Sequence, residues 1–231
     1  MNEIYVIDHS TTIEEAAGHT GGNQGKGGDI LYRWGNPQNY SRGNESDKIF
    51  GAQHGINWIP DGYPGEGNFL IYNNIHRTNP FRSAVLEFEC IADENGFYPI
   101  EDNEPFGPET YSWIYLANFY SPTQSGAYRL PNGNTLVTVT TEFNFFEVDN
   151  SGRVQWDPSF NSQCARAIKY GYDYFENNIL GDINQDEGLN ILDVVLIINY
   201  ILQNEYNVNA DLNQDNQLNV LDIIDLINLI L

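Results

Sequence analysis

The chain has 231 residues, with 32 Asp or Glu against 10 Lys or Arg and a formal charge of −22. Such an acidic surface repels phosphate backbones and anionic membranes, which argues against nucleic acid as a partner and in favour of divalent cations. No apolar run reaches the roughly 18 residues that span a bilayer, so no membrane span is expected.

In chain order, the N-terminus MNEIYVIDHS lacks the basic stretch and apolar core of a signal peptide. Short apolar runs then alternate with Gly, Pro and Asn turns: EIYVID, DILYRW, NFLIYN, AVLEFE, NTLVTVT, FFEVD and RVQW. Each is rich in β-branched and aromatic residues, which predicts strands up to about Asn177. Beyond it, VVLIINYIL and IIDLINLIL have helical spacing, each after an Asp- and Asn-rich loop. The expected organisation is a β region over 1–176 and a small helical domain over 180–231.

The β region repeats internally. QHGINWIPDG and GNFLIYNN match QSGAYRLPNG and NTLVTVTT, so that Gln53 pairs with Gln124, Gly55 with Gly126 and Pro60 with Pro131. The first copy carries a YPGE insertion in its turn. A second correspondence joins NEIYVIDHS…DILYRWGNP to NFFEVDNS…RVQWDP, pairing Trp34 with Trp156 across a Gly-rich insertion at about 11–28. The repeating unit is four antiparallel strands, as in a β-propeller blade. The expected fold is therefore mainly β: an incomplete propeller of about two and a half blades, followed by the helical domain. Closure needs more blades, so the chain is expected to be the C-terminal part of a longer one, which also accounts for the missing signal peptide.

The tail repeats as well. Asp182, Asn184, Asp186, Asn190 and Asp193 recur as Asp211, Asn213, Asp215, Asn219 and Asp222. These are oxygen donors at loop positions 1, 3, 5, 9 and 12, the spacing of an EF-hand-type calcium loop, with the backbone carbonyls of Gly188 and Gln217 at position 7. Two Ca2+ sites are expected. Position 6 requires a residue tolerant of positive φ; Asn216 suits it and Glu187 does not, so Gly188 is expected to shift the first turn by one. With Asp at position 12 and one helix after each loop, residues 180–231 resemble a type I dockerin domain. The resemblance implies calcium binding, a cohesin-like or cell-surface partner, and a secreted, cell-surface or periplasmic location. In that family loop positions 10 and 11 help select the partner; here they are the apolar pairs Ile191–Leu192 and Val220–Leu221.

In a propeller the first strand of each blade lines the channel, and His54 stands at the start of such a strand. The run GGDILYRWGNP…QHGINWIPDG…NFLIYNN…FYSP…SGAYRLPNGNTL resembles the arylsulfotransferase propeller family, over about residues 1–175. The resemblance implies sulfuryl transfer between a phenolic sulfate and a phenol, through a sulfohistidine and without metal or diffusible cofactor. Carried over residue by residue, it places an active-site His at His54 beside Gln53, and a sulfate-balancing Arg at Arg77, with His76 as a further contact. The nucleophile position falls on Ala117, which departs from the family, so a non-catalytic binding or scaffold protein is the alternative. His9, His19 and the acidic run Glu101, Asp102, Glu104 read as solvated loops, and Arg42 and Lys48 as surface charge or sulfate-facing cations. Cys90 and Cys164 allow either one disulfide or two buried thiols.

Overall fold

All seven predicted runs are strands. The structure, a computed structural model, describes residues 2–158, 162–171 and 179–231. In order its elements are β1 (Ile4–Ile7), α1 (Ile13–Ala16), β2 (Ile30–Trp34), β3 (His54–Trp58), β4 (Phe69–Thr78), β5 (Phe81–Phe88), β6 (Trp113–Leu116) and β7 (Gly126–Arg129). Then follow β8 (Thr135–Val139), β9 (Asn144–Val148), β10 (Val154–Trp156), α2 (Ile191–Gln203) and α3 (Val220–Ile230). The chain divides into two compact units, Met1–Lys169 and Tyr170–Leu231. The boundary expected at residue 176 lies outside the described residues. Among the described residues no helix is long and apolar enough to cross a membrane.

Among the described residues ten strands form three antiparallel sheets: β1-β2, β3-β4-β5-β6 and β7-β8-β9-β10. Each four-stranded sheet is a meander in chain order, the unit that the internal repeat predicts. The repeat holds at the level of single hydrogen bonds. Ile59 N donates to Asn68 O at 2.8 Å, and its counterpart Leu130 N donates to Asn134 O at the same 2.8 Å. Asp8 Oδ1 accepts from Ser10 N at 2.9 Å and Ser10 Oγ at 2.6 Å, and Asp149 Oδ1 accepts from Ser151 at the same two distances.

The register refines one correspondence. Trp156 lies opposite Glu147, two residues before the turn Asp149, whereas the residue opposite Val6, two before Asp8, is Tyr32. Tyr32, not Trp34, thus takes the position of Trp156. Matching on the tryptophan alone counts across a register irregularity present in both hairpins.

The sheets stack face to face. Side chains alternate along β4, so Phe69 and Ile71 pack with Ile4, Tyr32 and Trp34 of the first sheet, while Leu70 and Tyr72 pack with Ala127, Val137 and Val148 of the third. Trp34 stacks on Phe88 with centroids 3.9 Å apart. Each large apolar side chain fully buried this way contributes about 1.5–3 kcal/mol. Gly55 lets β3 approach β7: a Cβ there would lie 3.2 Å from Gly126 Cα, and its φ of 65° is one that L side chains rarely adopt.

Buried charges in the β unit are paired. Arg129 on β7 reaches across to Glu87 on β5 and lies 5.1 Å from the Trp113 ring centre. Glu3 accepts from Arg33 Nε at 3.1 Å and Nη2 at 2.6 Å. Burial pushes the Glu3 carboxyl up, but hydrogen bonds from Arg33, Asn39 and Tyr5, with the Arg33 charge, outweigh it and leave its pKa lowered. Cys90 and Cys164 are both free and half-buried, so no disulfide joins them.

Candidate functional site

In the C-terminal unit each loop is built on one turn of chain that feeds a helix. Asn190 and Asn219, expected as position-9 donors, are the N-caps of α2 and α3: their Oδ1 atoms accept from Leu192 N at 2.8 Å and Leu221 N at 2.9 Å. Three residues on, Asp193 and Asp222 complete capping boxes by accepting from the cap residues' own N–H groups at 2.9 and 2.8 Å. The position-12 aspartate is thus fixed by the helix that it starts.

The same carboxylates reach back to the loop entrance. Asp193 Oδ1 accepts from Ile183 N at 2.8 Å and Asp222 Oδ1 from Leu212 N at 2.9 Å. Asp182 accepts from Asp186 N at 3.2 Å and Glu187 N at 2.9 Å; Asp211 accepts from Asp215 N and Asn216 N at the same distances. Asn184 and Asn213 donate to Asp186 and Asp215 at 2.8 and 3.2 Å. The carbonyls of Gly188 and Gln217 face the position-9 side chains at 3.3 and 3.5 Å. The twelve expected ligand positions lie in two loops whose aspartate hydrogen bonds match one for one.

The expected one-residue shift of the first turn does not occur. Glu187 has φ 66° and Asn216 φ 62°, while Gly188 is not left-handed. Register is held by the Asp182 and Asp193 hydrogen bonds, which leave Glu187 in a conformation costing about 1 kcal/mol.

The donor chemistry fits a hard divalent cation. Asp182, Asp193, Asp211 and Asp222 are all buried. Between Leu180 and Leu231 the sequence has no Lys, Arg or His. Backbone N–H groups satisfy these oxygens in part but supply no net charge, and buried anions without a countercharge are costly. The missing positive residues are a signal in the sequence itself, beyond the ligand spacing. Among the described residues no group of three or more His, Cys, Asp or Glu is gathered as a ready metal site.

The helices α2 and α3 pack through Val194, Ile197 and Leu226 with Ala210. Their opposite faces are open: Ile191, Leu192, Val220 and Leu221 are each more than half exposed. The two apolar pairs at loop positions 10 and 11 thus stand on the surface at the start of each helix.

In the β unit, Gln53 and His54 border a cavity of about 280 Å³ together with Glu3, Tyr5, Ile56 and Ile71. His54 Nδ1 lies 3.0 Å from Ala52 O and 2.8 Å from Asn74 Oδ1. Asn74 Nδ2 donates to Ser121 O and Gln124 O, so Oδ1 is its acceptor end. Both partners of Nδ1 are acceptors; the neutral ring therefore carries its proton there, leaving Nε2 as the basic nitrogen.

The other predicted residues lie elsewhere. Asn73 donates to Ile49 O and to His76 Nδ1, at 3.4 Å for the latter, and the His76 ring meets Tyr111 at the first sheet-to-sheet core. Adjacent residues on β4 thus hold His54 and His76 on opposite faces. Burial, then the Arg77 charge, lower the His76 pKa. Arg77 is exposed near the end of β4 and stands directly across from Arg82 on β5. Arg82, which sequence reasoning missed, also donates to Ala117 O at 3.2 Å and Asn118 Oδ1 at 2.9 Å. Only strand pairing reveals this pair. Ala117 is buried, its N–H bound to Ser83 O at 3.1 Å. Lys48 pairs with Glu45 at 3.2 Å and exposed His19 with Asp29 at 2.7 Å; His9, Glu101, Asp102 and Glu104 are exposed, and Arg42 is half-buried.

Residues 180–231 match the dockerin type I domain family. Neither the comparison with curated proteins nor that with solved structures found a match.

Proposed function

We propose that residues 180–231 are a calcium-dependent docking domain that joins the β region to a cohesin-like or cell-surface protein outside the cell. The observation that carries this reading is the set of four buried aspartates in tandem loops, in a segment with no cationic side chain of its own. Two Ca2+ ions supply the countercharge, one for each loop. The exposed pairs Ile191–Leu192 and Val220–Leu221 form the contact surface, so the partner presents apolar rather than charged side chains to them. The β region is the cargo, its three stacked sheets being blades of a propeller-type array. Calorimetry with calcium tests the reading: two sites, with one lost on Asp182→Ala and the other on Asp211→Ala. Absence of calcium binding by the wild-type chain would sink it.

A second reading, sulfuryl transfer between phenolic compounds, is favoured by the His54 tautomer. With Nδ1 protonated, Nε2 can accept the proton of a phenol acceptor as it attacks sulfur. The donor's phenolate leaves as the new S–O bond forms; Arg77, opposite Arg82 on β5, does not border the cavity beside His54. Incubation with p-nitrophenyl sulfate and a phenol decides it: no transfer, or transfer unchanged in His54→Ala, removes His54 from the chemistry.

A further inference from the structure

The segment between α2 and the second loop has a fixed course. Helix α2 is capped by Asn204, whose φ of 56° turns the chain back; its N–H binds Ile201 O at 3.1 Å, and Glu205 N binds Tyr200 O at 3.0 Å. Asn207 then caps a short turn over Val208–Ala210: its Oδ1 accepts from Asn209 N at 2.9 Å, and its carbonyl from Ala210 N at 3.0 Å. Ala210 anchors that turn in the core with Val194, Ile197 and Leu226.

Between these two turns stands Tyr206, and its hydroxyl donates to Asp211 Oδ2 at 2.8 Å. A side chain from outside the second loop thus holds that loop's first donor position. Oδ2 also accepts from Asn216 N at 2.9 Å, while Oδ1 keeps one longer bond, 3.2 Å from Asp215 N. In the first loop Asp182 has the same two backbone bonds, from Asp186 N and Glu187 N at the same distances, and among the described residues no side chain donates to it. The sequence position that matches Tyr206 is Asn177, an amide rather than a phenol, which lies outside the described residues. The first loop also holds Glu187 at φ 66°, where the second has Asn216, which tolerates such a φ.

We propose that Tyr206 is a positioning residue for the second loop: its hydroxyl fixes the Asp211 carboxylate, so that this loop takes Ca2+ more tightly than the first and fills first. An aspartate held by a neutral donor keeps its charge for the cation and has already lost the rotamer freedom that binding would otherwise freeze. A cationic donor in the same place would hold the carboxylate equally well but cancel the charge that draws the ion in. Tyr206 is 52% exposed, so its effect falls at the low end for such outer contacts, about tenfold in affinity. The inference rests on the docking reading, in which each loop takes one Ca2+.

Calcium calorimetry on the full chain tests it in two single-site backgrounds. In Asp182→Ala, which keeps the second loop, Tyr206→Phe should weaken binding about tenfold. In Asp211→Ala, which keeps the first loop, the same substitution should change nothing. A merely structural loss would weaken both, because the two loops feed helices that share the core of Val194, Ile197 and Leu226. The chain with neither loop altered should bind in two resolved steps, and Tyr206→Phe should bring those steps closer together. Binding in Asp182→Ala that Tyr206→Phe leaves unaltered would overturn the proposal, as would equal weakening in both backgrounds. Absence of calcium binding by the wild-type chain would instead overturn the docking reading, and the proposal with it.

Discussion

The two units treat buried charge in opposite ways. The β unit neutralises its own: Arg129 meets Glu87 between sheets, Arg33 meets Glu3, and Lys169 meets Glu147 at 2.6 Å. The C-terminal unit buries four aspartates and brings no cation. The first therefore holds together on its own residues, while the second, on the docking reading proposed above, takes its countercharge from calcium in solution, which would make its folding depend on calcium concentration.

The strongest way to break this contrast is to remove calcium. At free calcium a hundred times the dissociation constant each site adds about 2.7 kcal/mol, so two sites add about 5 kcal/mol. Chelation should unfold the helical unit and leave the β unit's melting transition in place, which calorimetric scans with and without EDTA would show. Loss of both transitions together would mean that the β unit also leans on the ion. The mirror experiment removes an internal cation. Arg129→Ala strands the buried Glu87 carboxylate and should cost the β unit about 3–5 kcal/mol, with calcium titration of the other unit unchanged. A loss below about 1 kcal/mol by denaturant melting would show that the pair carries little.

A smaller effect separates the two loops. Glu187→Gly relieves a left-handed non-glycine residue and should tighten the first site by about 1 kcal/mol, roughly fivefold, in calcium calorimetry. Asn216→Gly should change the second site less, since Asn tolerates that conformation. The smallest effect is a pH dependence confined to the β unit. The His76 pKa is lowered in the folded state by burial and by Arg77, so the unfolded chain takes up the proton first as pH falls below about 6.5. Stability is therefore complete above that pH and declines below it, until the folded imidazole protonates as well. His76→Gln should flatten the decline between pH 7 and 5.5 in thermal melts; an unchanged slope would assign it to other groups.

The candidate sites were not equally legible. The two candidate calcium loops follow from spacing, because all their candidate donors lie within twelve consecutive positions and the local turn sets their geometry. The catalytic set does not. His54 and His76 belong to different strands whose side chains alternate, and pairing irregularities, between His54 and Asn57 for the first and between Asn73 and Arg77 for the second, interrupt the simple alternation there. Arg82 joins Arg77 only through the hairpin register, and the tautomer of His54 depends on how Asn74 is held by residues more than forty positions away. The register also moved the counterpart of Trp156 from Trp34 to Tyr32, a shift that matching by residue type cannot detect.

By itself the sequence determined the strand and helix runs, both internal repeats, the two Asp- and Asn-rich loops and the absence of any Lys, Arg or His between residues 180 and 231, since each depends on neighbours close along the chain. Only the tertiary structure decided which sheet covers which, that Glu187 keeps its left-handed place, and that Ile56 and Trp58 on β3 stay exposed. Those outcomes come from packing and pairing between distant segments, where burial of a face or the filling of an edge depends on what another part of the chain lays against it.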